Sequence, residues 1–231
     1  MFYQLIQGLS RRLPGQCTIC HAWPSQPVCE ACVNAFAQPA NRCLTCALSV
    51  PAGVQQCGAC IVKPPPLDAC LAAVPYAYPW SQLMTDFKFN QHPGWANTFA
   101  QLLRAAPWVE PALDAADLQI PMPLSRQRLQ ERGYNQSHLL ACALDRAKVA
   151  HGVLLRMVDT PPQMTLARSD RLRMVKNAYA VDPLKARDIT QRRIVLIDDV
   201  MTSGASLHAA AGVLRQSGAA HITALVFART E

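Results

Sequence analysis

Eight of the ten cysteines fall into four Cys-x-x-Cys pairs: Cys17/Cys20, Cys29/Cys32, Cys43/Cys46 and Cys57/Cys60. Two thiolates separated by two residues on a tight turn present both sulfurs to one ion, and a second such turn completes the tetrahedron that zinc prefers. Order along the chain groups Cys17, Cys20, Cys29 and Cys32 as one four-thiolate site and Cys43, Cys46, Cys57 and Cys60 as another, although order alone leaves cross-pairing open. A disulfide framework would need an oxidising compartment, for which the chain shows no export signal. A redox site of the thioredoxin kind uses one pair beside a βαβ unit, not four pairs in close succession. Two structural zinc ions also meet an energetic need. The segment is rich in proline and poor in large apolar residues, and a structural zinc contributes on the order of 10 kcal/mol to folding. His21 follows Cys20 but is left out, because four sulfurs are available for each ion. Cys70 and Cys142 have no paired neighbour and read as small buried hydrophobes.

A second chemistry lies near the other end of the chain. Asp198-Asp199 is followed, after Val200 and Met201, by the small hydroxyl-rich run Thr202-Ser203-Gly204-Ala205-Ser206. Backbone N–H groups around Gly204 and the positive end of a following helix would cradle a phosphate, with Thr202, Ser203 and Ser206 adding hydroxyl donors. Gly204 lets the backbone approach such an anion closely. Two carboxylates beside a phosphate suit vicinal hydroxyls or a hydrated Mg2+. Consecutive strand residues point to opposite faces, so both aspartates address one ligand only if the chain leaves the strand there. Basic residues gather in two short stretches, Arg126, Arg128 and Arg132, then Arg168, Arg171, Arg173 and Lys176, as an anionic partner would require.

The elements that hold these residues can be read around them. Arg193 to Ile197 is a short β-branched, apolar segment, the pattern of a central parallel strand covered on both faces. Leu207, Ala210, Ala211 and Leu214 fall at helical spacing, Gly218 closes that helix, and Ile222 to Phe227 reads as a further strand. The class is therefore α/β, with a ligand site at the carboxyl end of a parallel sheet. A chain of 231 residues, 51% hydrophobic, buries one ordinary core and a small satellite. The stiff run Lys63-Pro64-Pro65-Pro66 marks the boundary, giving a cysteine module over 1–64 and an α/β domain over 65–231. The apolar stripe Phe2, Leu5, Ile6 and Leu9 is expected to pack on its own protein. Apolar stretches fall short of the roughly 18 residues a membrane span needs, so a cytoplasmic protein without membrane insertion is expected. The formal charge of +7 falls to roughly +3 once two four-thiolate zinc sites are counted.

The run Val195 to Ser206 resembles the phosphoribosyl diphosphate motif of type I phosphoribosyltransferases. The four cysteine pairs, Phe87-Lys88-Phe89, Pro121-Met122-Pro123-Leu124, Arg132-Gly133-Tyr134-Asn135-Gln136 and Thr160-Pro161-Pro162-Gln163 resemble, in order, the ComF/GntX family associated with natural competence. That resemblance spans nearly the whole chain. It implies a double zinc-ribbon module ahead of a type I phosphoribosyltransferase-like parallel sheet flanked by helices, with a strand at Asp117 to Met122. It implies that Asp198, Asp199, Thr202, Ser203, Gly204, Ala205 and Ser206 bind phosphoribosyl diphosphate with Mg2+, and that Arg126, in the loop from Pro123, contacts the diphosphate. Asn135 and Gln136 would lie near the pocket or simply cap a helix. A hood over 163–179 would bring Arg168, Arg171, Arg173 or Lys176 over the leaving group as the catalytic cation. The implied role is helping imported single-stranded DNA through the cytoplasm in transformation, with phosphoribosyl diphosphate, single-stranded DNA and other DNA-uptake proteins as partners. The alternative is an active phosphoribosyltransferase in nucleotide or cofactor metabolism, whose acceptor no segment identifies.

Overall fold

The computed structural model describes residues 15–157 and 178–231. They fall into two compact units, one ending at Gln38 and one running Pro39–Glu231. The hood residues Arg168, Arg171, Arg173 and Lys176, the Thr160 to Gln163 run and the Phe2 to Leu9 stripe lie outside the described residues.

In the first unit a turn at Cys17 to Cys20 precedes helix α1 (Glu30–Phe36), which begins immediately after Cys29. The His21 N–H bonds back to the Cys17 carbonyl at 2.9 Å, tightening the turn that holds the first sulfur pair.

The second unit opens with a like arrangement, a turn at Cys43 to Ala47 and helix α2 (Gly58–Val62). Then come strand β1 (Ala69–Pro75), helices α3 (Trp80–Phe89), α4 (Trp95–Ala105) and α5 (Val109–Ala115), and strand β2 (Leu118–Pro121). Helices α6 (Arg126–Arg132) and α7 (Gln136–Asp145) follow, then a two-stranded antiparallel piece of β3 (Leu154–Arg156) and β4 (Tyr179–Val181). Helix α8 (Ala186–Ile189), strand β5 (Arg193–Met201), helix α9 (Ala205–Gln216) and strand β6 (His221–Arg229) complete the chain.

The main sheet is wholly parallel, in the order β1-β6-β5-β2. Central strands β5 and β6 are covered on both faces, which is why they read as near-continuous apolar runs. On one face Ile194, Leu196, Ile222, Ala224 and Val226 join Leu207, Ala210, Ala211 and Leu214 of α9 in a single core cluster. The opposite face is aromatic: Phe227 stacks on Phe99 at 4.0 Å and meets Trp80 edge-on at 5.7 Å, and Phe87 packs edge-on against Phe99. Helix α4 supplies that contact through Ala96, Phe99, Ala100 and Leu103, spaced for one buried stripe.

The strands expected at Asp117 to Met122, Arg193 to Asp198 and Ile222 to Phe227 are present. Main-chain bonds from Asp117 to Arg193 and from Met122 to Ile197 carry the β2 pairing to both expected ends. Pro121, which has no N–H, is tolerated because β2 is an edge strand. Strand β1 and the β3–β4 pair were not foreseen. Cys43, Cys46, Ala47 and Cys60 belong to the same core cluster as Leu67, Cys70, Ile120 and Met201, so the second cysteine set shares the hydrophobic interior of the sheet unit. Trp80 is fully buried, whereas Trp95 and Tyr134 are half-buried. Cys70 is buried as expected, but Cys142 is half-exposed on α7, its sulfur 3.5 Å from His138 Nε2. Among the described residues no helix is long and apolar enough to cross a membrane.

Candidate functional site

Strand β5 delivers Asp198 and Asp199 to the carboxyl end of the sheet without leaving the ladder: it runs through Met201, with Asp198 opposite Val226 and Val200 opposite Ala228. The condition for both side chains to address one ligand, that the chain leave the strand there, is not met, because the ladder to β6 continues past them. The two carboxyls therefore find separate partners. Asp198 accepts the Ser137 hydroxyl of α7 at 2.9 Å and its own neighbour's N–H at 2.9 Å. Asp199 is buried and paired with Lys88 Nζ at 2.8 Å. Burial pushes the Asp198 carboxyl up to about 7, and the Asp199 charge adds to the push; Lys88, the Ser137 hydroxyl and the Asp199 N–H pull the other way.

The loop after β5 is shaped at Gly204. Its φ is +78°, and it forms the N-cap of α9. The left-handed backbone calls for glycine, and a Cβ there would in addition have to displace the Met201 methyl and the His208 ring, which lies 2.9 Å away. Thr202 and Ser203 are exposed, Ala205 and Ser206 half-buried, and the first N–H groups of α9 face the same end of the sheet as the aspartates. Tyr179 of β4 stands nearby. Burial pushes its phenol up, against Arg156 and the Ser206 hydroxyl, while Asp198 adds to the rise.

Three further segments are drawn to the same edge by main-chain oxygens. Gly133, at φ +78°, ends α6 in the left-handed conformation, and Asn135 caps α7 by accepting the His138 N–H at 3.2 Å. Asn135 also donates to the Met122 carbonyl at 2.9 Å, while Tyr134 Oη at 2.5 Å and Gln136 Nε2 at 3.4 Å both donate to the Phe87 carbonyl. Asn135 thus caps α7 and also ties its start to the residue that follows β2. These bonds set Lys88 on α3 beside the acid pair. Arg132 lies over the Phe89 ring at 5.0 Å, held below the usual guanidinium value by burial, with the Asp199 charge opposing. Arg126 is exposed as the first residue of α6, just past the Ser125 cap. Sequence reasoning missed Ser137 and Tyr179 and gave Lys88 no partner; a motif signal existed for Lys88 alone.

The cysteines assemble as their order suggested. In each of the two sets, Cys17, Cys20, Cys29, Cys32 and Cys43, Cys46, Cys57, Cys60, all four sulfurs lie within 4.8 Å of one another. Sulfur separations are 3.8 Å for Cys17 and Cys32, 3.5 Å for Cys20 and Cys29, and 3.7 Å for Cys46 and Cys57. Four sulfurs each about 2.3 Å from a central ion would be separated by about 3.8 Å, so both sets fit tetrahedral zinc. Donors are in place as well: Cys29 N–H points to Cys17 Sγ at 3.4 Å and Cys57 N–H to Cys43 Sγ at 3.3 Å. Burial pushes the Cys17 and Cys43 thiols up, but these N–H groups and their neighbours outweigh it and hold both at about 6, whereas burial pushes Cys32, Cys46 and Cys60 up, so a bound cation would have to supply what keeps those sulfurs as thiolates. His21 is exposed and takes no part in either set.

No family model matches the chain. Among curated proteins, it is 30% identical over 229 residues to the DNA utilization protein YhgH of Escherichia coli, covering 94% of this chain and 98% of that protein. It is 33% identical over 183 residues to competence protein F of Haemophilus influenzae, covering 76% of this chain and 79% of that protein. Over 101 residues it is 39% identical to competence protein ComFC of Bacillus subtilis, covering 44% of this chain and 39% of that protein.

Proposed function

This chain belongs to the ComF/GntX family of competence and DNA-utilization proteins, and on that premise we propose that it binds phosphoribosyl diphosphate at the β5–α9 loop while acting in DNA uptake. The observation that carries the proposal is the junction itself: an acid pair near the end of β5 followed by a glycine in the left-handed conformation at the start of α9. The diphosphate would sit on the first N–H groups of α9 and the hydroxyls of Thr202, Ser203 and Ser206, and the ribose hydroxyls would reach Asp198; Asp199, the next residue of the strand and paired with Lys88, would join it only if the end of β5 opened on binding. Mg2+ bound with the diphosphate would offset its charge between the phosphate oxygens and the acid pair. Arg126 and a cation from Arg168, Arg171, Arg173 or Lys176 would complete the anion's surroundings. The role in competence is supported by the competence and DNA-utilization relatives, and the finer reading is that the protein helps imported single-stranded DNA through the cytoplasm.

Thermal unfolding of the zinc-loaded protein with Mg2+ and phosphoribosyl diphosphate tests the pocket. At a hundred times the dissociation constant a true ligand stabilises by roughly 2.7 kcal/mol. That gain should vanish in Asp198→Asn/Asp199→Asn; no gain in the wild type would remove the ligand reading. The DNA half is tested separately. Oligonucleotide affinity must exceed that of an unrelated protein of equal charge in the same salt.

A further inference from the structure

The last residues of β6 reach both the second cysteine set and the ligand loop. Arg229 is buried, and two of its guanidinium nitrogens face oxygens of both segments: Nε donates to the Cys46 carbonyl at 2.9 Å, and Nη1 lies within hydrogen-bond reach of the Thr202 carbonyl at 2.6 Å, the Thr230 hydroxyl at 3.1 Å and the Met201 carbonyl at 3.3 Å. Thr230 N–H bonds to the Met201 carbonyl at 3.1 Å. Glu231 then takes the Ser49 hydroxyl at 2.7 Å and the Ser49 N–H at 3.3 Å on the far side of the same cysteine turn. Below the loop, Cys70 Sγ contacts Met201 Sδ at 3.6 Å. One planar cation with fixed donors thus fixes the distance between Cys46, a sulfur donor of the metal set, and Thr202, the first residue of the ligand loop.

We propose that Arg229 is a positioning residue that couples the Cys43, Cys46, Cys57, Cys60 site to the β5–α9 loop, so that metal held at one and anion held at the other strengthen each other. Linkage makes the effect reciprocal. Its ligand arm rests on the phosphoribosyl diphosphate reading; its structural arm does not. Lysine in place of Arg229 keeps the charge but offers a point donor that cannot span both carbonyls.

The test uses the full zinc-loaded chain with two readouts: hydrogen exchange of the peptide over 201–206, and the rate of zinc transfer to a chelating indicator, its phases assigned with Cys20→Ser. A core variant, Phe99→Leu, with a matched loss of Tm serves as the control for mere destabilisation. Arg229→Lys should speed loop exchange and second-site zinc release roughly fivefold or more beyond that control, leaving the first-site phase unchanged. Mg2+ with phosphoribosyl diphosphate should slow second-site release in the wild type and not in Arg229→Lys. Where Arg229→Lys does not fold, Glu231→Ala loosens the same clasp from its exposed end. Effects no larger than those of Phe99→Leu overturn the coupling and leave the ligand reading standing; a loosened loop with no response to the anion in the wild type supports the coupling and removes the ligand.

Discussion

At Asp198 the cost of burying a carboxylate is set against the Ser137 hydroxyl, the Asp199 N–H and the Lys88 charge, and burial prevails, lifting the group to about 7. The sign of the consequence follows from linkage. The folded chain holds a proton there that the unfolded chain has released, so this group's contribution is complete below its ordinary value and is lost as pH rises through about 7. The stability of the wild type relative to Asp198→Asn, read by urea unfolding at each pH, should therefore fall between about pH 4 and 7, a difference that leaves out the opposite pH dependence of the zinc thiolates common to both. Anion binding should run the other way: the ionised carboxylate is the acceptor for ribose hydroxyls, so affinity for phosphoribosyl diphosphate should rise over the same interval. Gln119 shows burial without compensation. It is wholly buried in β2, and neither amide atom has a hydrogen-bond partner among the described residues. Gln119→Met, similar in length and without the amide, should stabilise by roughly 1–3 kcal/mol, read as a raised urea midpoint at unchanged slope.

The β5–α9 junction shows what a local pattern can announce. A β-branched run, an acid pair, a small loop and then Leu207, Ala210, Ala211 and Leu214 at helical spacing each carry their own signal, and the structure assembles them as read. Gly204→Ala should cost about 1–2 kcal/mol for the left-handed backbone alone, with more from the Met201 methyl and the His208 ring, and should abolish any ligand-induced rise in Tm. Strand β1 carried no such signal. Ala-Cys-Leu-Ala-Ala-Val-Pro has one β-branched residue, and its extended state is imposed by pairing with β6. Strands β3 and β4 are three residues each, too short for a period to register. The site was legible only as far as it was contiguous: Asp198 to Ser206 lie in one run. Lys88, Ser137, Tyr179 and Arg229 come from four other elements; the first two are brought in by side-chain bonds from Tyr134 and Asn135 to the Phe87 and Met122 carbonyls, and no local pattern announces such long-range bonds.

At the scale of the molecule, the two cysteine sets look alike in spacing and differ in what their loss would expose. Cys17, Cys20, Cys29 and Cys32 lie in the unit ending at Gln38, whereas Cys43, Cys46 and Cys60 are part of the interior that also contains Ile120, Leu196 and Val226 of the sheet. Structural zinc supplies folding free energy to whatever its ligands are packed into. Removing the first ion should thus unfold a short segment, and removing the second should open the sheet unit's core, where the buried Cys43, Cys46 and Cys60 lose the bonds to metal that hold their turns together. Cys29→Ser should leave hydrogen exchange of β6 unchanged, with the chain binding one zinc in place of two. Cys57→Ser should lower the stability of the sheet unit by on the order of 3 kcal/mol or more, seen as faster exchange throughout β5 and β6 and a lower Tm. Equal effects from the two substitutions would mean that the second set, despite its buried sulfurs, is no more a part of the sheet unit's core than the first.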